Sequence, residues 1–561
     1  MQQLINVPKL LFLLVLIGLN FSANAQKISK FWISFKDKQQ SPYCLCRPEE
    51  FLSFRALERR AKAGIPLDES DLPVNPDYLK ALQAQGATIH NTSKWLNAAA
   101  VMADSATARK LERLPFVQKI EYLGPHLKYR NPPNRKEKRR APLTKNPAIQ
   151  GRDIPVWGYA AQQNQILGIP VLHMAGYRGK DIWVAVMDGG FTNADTIPMF
   201  DSVAMQGRLF QGWDFVERDG SLYESAQHGT SVLSVMAANL PYYFVGTAPE
   251  ATYFLLKTED TGGEFPIEEA NWVAGAEWAD SVGCDILNAS LGYTAFNDRS
   301  LGHFKWELDG NSSIGARGAG IAASKGMIIC NSAGNEGDGE WRTIGVPADA
   351  FGIVAVGAVD ASGARAGFSS MGPTADQRIK PDLVAPGDQV VVAGNVGISL
   401  GVSSGTSLAS PMLTGAIAAL WSAYPEKTAK EILQAVYASA DQRYSPDNER
   451  GYGLPDITDA WIRLGDMENG NGGIFRYDPN SATLNYYLAS RGFTPGDTVI
   501  WQNILGQVVA EKPLAVVNTP IMHLQIQDLE SIPAGHYTLL LKGKTSVKRL
   551  GCATWIGKTQ R

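Results

Sequence analysis

Five short runs between residues 182 and 359 are rich in apolar residues without strict alternation: 182–187, 252–257, 285–290, 326–331 and 353–359. A strand with one face in water alternates apolar and polar residues. A run without alternation fits a strand covered on both faces. Helical patterns separate these runs. Strands alternating with helices predict a parallel sheet, and so an α/β domain over 153–465.

The pattern changes on either side. Over 27–125, strand-like stretches (31–35, 95–101, 116–122) alternate with helix-like ones. The first helix, 51–63, stops at Gly64. The second opens on Asn75-Pro76 and closes at Gly86; the third is 105–114. Those stops and starts are turn and cap chemistry, and they predict a small α+β unit. Residues 131–149 are rich in Pro, Lys, Arg and Asn and read as a linker, as does 466–473, Asp-Met-Glu-Asn-Gly-Asn-Gly-Gly. From 475 to 561 the pattern is short strands (497–504, 507–510, 523–526, 537–542) with turns at Gly506 and Ala534-Gly535, which predicts a small β-sandwich.

Length and charge narrow the picture. A chain of 561 residues holds two to four domains, and a net charge of −3 argues against nucleic acid as its main partner. One basic cluster stands out at 135–140, Arg-Lys-Glu-Lys-Arg-Arg: either a solvated linker or a place where the chain is cut. At the start, Lys9 precedes an apolar run at 10–19, and Ala23-Asn24-Ala25 offers small residues for cleavage. Residues 1–25 therefore read as a signal peptide cut after Ala25, with an uncleaved anchor as the alternative. An exported protein, secreted or held at the cell surface, is expected. Five cysteines cannot all pair within one chain; Cys284 and Cys330, in or beside apolar runs, read as buried free thiols. No cysteine spacing suggests zinc.

The candidate chemistry centres on Gly405-Thr406-Ser407-Leu408-Ala409-Ser410-Pro411. A Ser between a Gly turn and an apolar helix can present its hydroxyl at a helix N-terminus. It still needs a base, and the base needs an orienting group. Of the seven histidines only His228 opens a Gly-Thr-Ser sequence leading into an apolar helical pattern. Asp188 ends an apolar strand and is followed by Gly189-Gly190. Taken singly, His228 could be structural and Asp188 could simply turn the chain. Together, in the order Asp, His, Ser, they form an acid–base–nucleophile set.

At these motifs the chain resembles the subtilisin-like serine peptidases (subtilases, S8 family). The matching stretches are Val186-Met187-Asp188-Gly189-Gly190, His228-Gly229-Thr230 and the Ser407 run, with Asn288-Ala289-Ser290-Leu291-Gly292, Ser332-Ala333-Gly334-Asn335 and Lys380-Pro381-Asp382-Leu383-Val384-Ala385-Pro386-Gly387. The resemblance covers about 165–460. It implies a three-layer subtilisin-like domain and a serine endopeptidase made as a zymogen. Asp188, His228 and Ser407 would be catalytic, Asn335 an oxyanion donor, and Ser290, Leu291 and Gly292 an edge that pairs with substrate backbone. Partners would be protein or peptide substrates. A catalytically silent binding protein and an esterase are the rival readings.

The resemblance needs no cofactor for the chemistry. Many relatives bind calcium, but no calcium loop with recognisable ligand spacing is present, so the metal stays open. Under this reading 26–140 resembles an inhibitor-like propeptide that acts on its own enzyme. The tail resembles the sorting domains of type IX-secreted proteins through Leu505-Gly506-Gln507-Val508, Pro533-Ala534-Gly535-His536-Tyr537 and Lys548-Arg549-Leu550. That would make secretion machinery a partner; a substrate-binding or stabilising β-domain is the alternative. Residues 296–317 are an insert that the motifs leave unassigned.

Overall fold

Strand-like and helix-like stretches over 27–125 condense into a four-stranded antiparallel sheet with three helices. Its strands are β1 (Ser29–Phe35), β2 (Thr88–Ser93), β3 (Ala98–Ala103) and β4 (Val117–Pro125), in the order β2-β3-β1-β4. The structure is a computed structural model describing residues 27–126, 141–142, 156–469, 474–478, 483–489, 498–503, 505–513, 521–523, 535–542 and 547–555. The expected signal peptide, the basic cluster at 135–140 and the motif residues Pro533-Ala534 lie outside the described residues.

The helices are α1 (Phe54–Ala63), α2 (Pro76–Ala84) and α3 (Ser105–Leu111). Side chains of Ser53, Asn75 and Asp104 accept the orphan N–H groups of Ala56, Asp77 and Thr107 at their starts. Two expectations need correcting. Trp95 and Leu96 belong to a turn, so the predicted strand starts only at Ala98. β2, with His90 and Asn91 among its residues, is too polar to show as an apolar run and was missed.

The sheet has two apolar faces, which is unusual for so small a unit. Ile33, Phe35, Ala99 and Val101 form a core of their own with Leu82, Leu111 and Val117. Trp32, Ala98, Ala100 and Leu123 instead share a core with helices of the next unit.

That unit holds a seven-stranded parallel sheet: β5 (Trp183–Asp188), β6 (Leu209–Asp214), β7 (Thr252–Lys257), β8 (Ile286–Ala289), β9 (Ile328–Ser332), β10 (Val354–Val359) and β11 (Leu383–Pro386). Their order is β11-β10-β9-β8-β5-β7-β6. The five predicted runs are β5, β7, β8, β9 and β10. The edge strand β6, with Phe210 and Trp213 part exposed, carries too few buried positions to read as such a run. Helices α4 (Gln227–Ala237) and α7 (Thr406–Trp421) join the core on one side; α5 (Ile267–Val282) and α6 (Ile314–Ser324) lie on the other, beneath the N-terminal sheet.

Polar contacts reinforce that junction. Glu277 of α5 accepts from the Ser93 hydroxyl (2.5 Å) and from the N–H groups of Lys94 (2.8 Å) and Trp95 (3.0 Å). Burial pushes Glu277 up to about 7, and Lys94 and these donors pull it back. Asp280, one helical turn on, meets Arg59 (2.5 Å), Arg60 (2.9 Å) and Lys94 (3.3 Å), all nine-tenths or more buried. Burial alone would raise Asp280; the three cations outweigh it and hold the carboxyl below its usual range. Arg60 and Lys325 of the enzyme unit also share Asp71 (2.9 and 3.1 Å). His90, enclosed at the same junction, is pushed down to about 4 by burial and by Lys30 and Arg218.

The tail contributes two antiparallel sheets, one of four strands and one of three, in keeping with the expected β-sandwich composition. The linker expected at 466–473 begins later than predicted, because the helix Ile457–Asn469 runs through its first four residues. Asp, Met, Glu and Asn continue a helix; the composition breaks only at Gly470. Cys284 and Cys330 are free and buried, as expected. Cys44 and Cys46 form a disulfide.

Candidate active site

Every first-named candidate sits at the end of an element. Asp188 is the last residue of β5, buried, at the C-terminal edge where open parallel sheets place their sites. Its Oδ1 accepts the N–H of Gly189 (2.8 Å). Its Oδ2 meets Nδ1 of His228 at 2.8 Å. His228 is the second residue of α4, and the next residue explains how it comes so close. A Cβ on Gly229 would collide with the carbonyl oxygen of Gly190 and stand 2.9 Å from the Asp188 Cβ. Only glycine lets the helix settle on the Asp188 loop.

Ser407 lies in the first turn of α7, which packs along α4. The turn before it is equally crowded. A Cβ on Gly405 would stand 2.9 Å from the Ser407 Oγ and 3.7 Å from the Asn335 Nδ2. The hydroxyl and the amide nitrogen thus flank one point. The amide is oriented: Asn335 Oδ1 accepts from the N–H (2.8 Å) and the hydroxyl (3.0 Å) of Thr406, which leaves the NH2 end to the exposed side. An imidazole oriented by a carboxylate, a hydroxyl at a helix start and a fixed amide donor are the parts needed for acyl transfer.

The predicted edge residues separate into two kinds. Ser290 is buried, and its hydroxyl donates to the carbonyl of Ser407 (2.8 Å) while accepting from Asn288 (3.1 Å). Asn288 in turn accepts from Ser410 (2.9 Å) and Thr414 (3.1 Å) of α7. Ser290 thus braces the Ser407 turn from behind. The carbonyl of Leu291 is taken by Asn331 and Ser332. Gly292 is exposed, with its nearest neighbour 3.7 Å from a built Cβ, and offers free backbone.

Thr406 and Asn288 were missed as contributors. Their signal was present, one residue before the Ser and two before Ser290, but nothing in the spacing shows where a side chain points. Glu259 was missed too. It follows β7, whose Lys257 pairs with Asp188, and it accepts from Tyr293 (2.7 Å) and Thr258 (3.0 Å). Enclosure pushes it up to about 8, with Glu264 and Asp188 adding to the shift and the two hydroxyls opposing it. Among the described residues no group of three or more His, Cys, Asp or Glu is placed to hold a metal ion, and no helix is long and apolar enough to cross a membrane.

Residues 179–453 match the family model described as "Subtilase family", and residues 30–141 match "Peptidase S8 propeptide domain, Bacteroidota". A subtilisin of Bacillus pumilus is 31% identical over 276 residues, 48% of this chain and 88% of that protein. Subtilisin NAT of Bacillus subtilis subsp. natto is 28% identical over 364 residues, 64% of this chain and 79% of that protein. A solved protease of the type VII (ESX-3) secretion system, 22% identical, covers 54% of this chain and 88% of its own with a TM-score of 0.44.

Proposed function

The chain belongs to the subtilase family and is a serine endopeptidase made with its own inhibitory propeptide; from that premise we propose that Ser407, His228 and Asp188 are its catalytic residues and Asn335 its oxyanion donor. Ser407 Oγ attacks the peptide carbonyl carbon as His228 Nε2 takes its proton. Asp188 holds Nδ1–H, fixing the tautomer and stabilising the imidazolium. The tetrahedral oxygen receives N–H bonds from Asn335 Nδ2 and the Ser407 backbone. Collapse breaks the C–N bond, and the imidazolium protonates the departing amine. Water then repeats the sequence on the acyl-enzyme and frees Ser407. Substrate backbone lies along Gly292, while Ser290 and Leu291 support that edge.

One observation carries the assignment: a buried carboxylate 2.8 Å from the ring nitrogen of His228, with Asn335 and Ser407 converging on Gly405. A serine-directed phosphonate should add its mass to the peptide bearing Ser407 and to no other serine. An adduct elsewhere would reject the assignment.

The export reading follows from the Lys9–Ala25 signal pattern and from a propeptide type described for Bacteroidota. Residues 475–561 act in it as a sorting domain read by type IX secretion machinery, and the protein works outside the cell. Deleting 475–561 should trap a folded, activatable peptidase in the periplasm. Normal release of the truncated protein would reject this role.

A further inference from the structure

We propose that a cavity beside the cleft, walled by Lys305, Trp306, Trp341, Arg342, Met371 and Pro373, is an exosite for acidic side chains of the polypeptide substrate. The inference rests on the endopeptidase reading and adds a substrate class to it.

The cavity has a volume of about 590 Å³, enough for a side chain and part of its backbone. Its lining contains two cations and no carboxylate. Lys305 and Arg342 make no ion pair with any described residue. Lys305 Nζ instead sits 5.7 Å from the centre of the Trp341 ring. Trp306 is 69% exposed and stacks on half-exposed Phe304 at 4.3 Å. Two solvated cations, one of them over an indole ring, match a ligand with a charged carboxylate and an apolar stem. Glu and Asp side chains have both.

The walls are preformed and tied to the catalytic loops. The insert carrying Lys305 and Trp306 is pinned to α5 by His303 on Glu269 (2.7 Å), and the N–H of Gly310 donates to Asp349 (2.8 Å). The opposite wall is continuous with the oxyanion loop. Ser370, next to Met371, accepts the N–H of Glu336 (3.0 Å), the residue after Asn335. Met371 also exchanges backbone bonds with Arg342 and Ile344. Two residues further, Val346 pairs with Tyr293, which follows Gly292. The cavity is thus one loop away from both the scissile carbonyl and the substrate edge. Substrate residues beyond those at the bond can reach it.

Two exposed ion pairs amount to roughly a five- to tenfold preference. The test uses activated enzyme and peptides that share one cleavable core. Each carries three Glu or three Gln, placed before the core in one series and after it in the other. In one series the Glu peptide should show a kcat/KM about five- to tenfold above its Gln twin, with the gap shrinking in high salt. Lys305→Ala with Arg342→Ala should erase the gap and leave a short peptide without flanks cleaved at the wild-type rate. The Glu peptide should also shift the indole fluorescence of Ser407→Ala enzyme, a readout independent of turnover. Equal rates for Glu and Gln peptides in both series, or a preference that survives the double substitution, would overturn the exosite. Failure of wild-type enzyme to cleave the short peptide would instead strike the endopeptidase reading.

Discussion

Ser407→Ala enzyme should lose about 10⁶ in kcat while still binding substrate, since removing the nucleophile of such a triad costs about that much. The loss is so large because the attack, the proton relay and the acyl-enzyme all depend on one Oγ. His228→Ala should lose a similar amount, and the double variant little more, because each residue is idle without the other. Asn335→Leu should behave differently. It leaves nucleophile and base intact and removes one oxyanion donor, costing about 10²–10³. KM should hold in all of these, because the missing interactions form only in the transition state. Single-turnover kinetics on a chromogenic peptide would check the ranking. An Asn335 variant as inactive as the Ser407 variant would mean that the amide does more than bind an oxyanion. Thr406→Val, which removes the hydroxyl but keeps the backbone N–H of the two donors holding the Asn335 amide, should fall between wild type and Asn335→Leu.

The second large effect lies far from the chemistry. Asp280→Ala should weaken the hold of the propeptide on the enzyme by about 3–5 kcal/mol, a hundred- to several-thousand-fold. Asp280 faces Arg59, Arg60 and Lys94 with almost no water near them. Its removal leaves three buried cations on the propeptide with only Asp71, the Ser281 hydroxyl and backbone carbonyls in direct contact, and Glu277 nearby. The cost is that of unpaired charge rather than of the ion pairs themselves. Asp280→Leu combined with Arg59→Met and Arg60→Met should therefore recover part of the loss, since it removes two of the three unpaired cations and leaves Lys94 with the Ser281 hydroxyl. Dissociation of the cleaved propeptide from Ser407→Ala enzyme would measure both. If the triple variant were no tighter than Asp280→Ala, the charge argument would fail. Latency should shorten in parallel, because an enzyme that releases its propeptide sooner becomes active sooner.

Much of this site was legible in the chain. Asp188, His228 and Ser407 each occupy a place where local pattern changes: a strand end, a helix start, a turn before a helix. The apolar-rich runs announced a sheet covered on both faces, and the sheet is covered on both faces. What stayed hidden has a common cause. In α5 the residues Glu268, Glu269, Glu277 and Asp280 resemble the solvated face of a surface helix, yet all four are buried. The partners of Glu277 and Asp280, Lys94 and Arg59 among them, lie more than 180 residues away. Ser290 read as part of a substrate edge because its neighbours do. Its hydroxyl turns inward to the Ser407 carbonyl, a matter of side-chain direction on which one-dimensional spacing is silent.

By itself the sequence determined the kinds of atoms available for chemistry and the local elements that carry them, because caps, turns and apolar periodicity act over a few residues. The tertiary structure decided three things. It set distance, bringing His228 to Asp188 across 40 residues and Thr406 to Asn335 across 71. It set orientation, turning the Asn335 amide so that its donor end faces the cleft. And it set solvation, burying Asp280 among three cations and leaving Lys305 and Arg342 without a carboxylate partner among the described residues. Each depends on what packs against a residue, and that is fixed only when distant segments share one core.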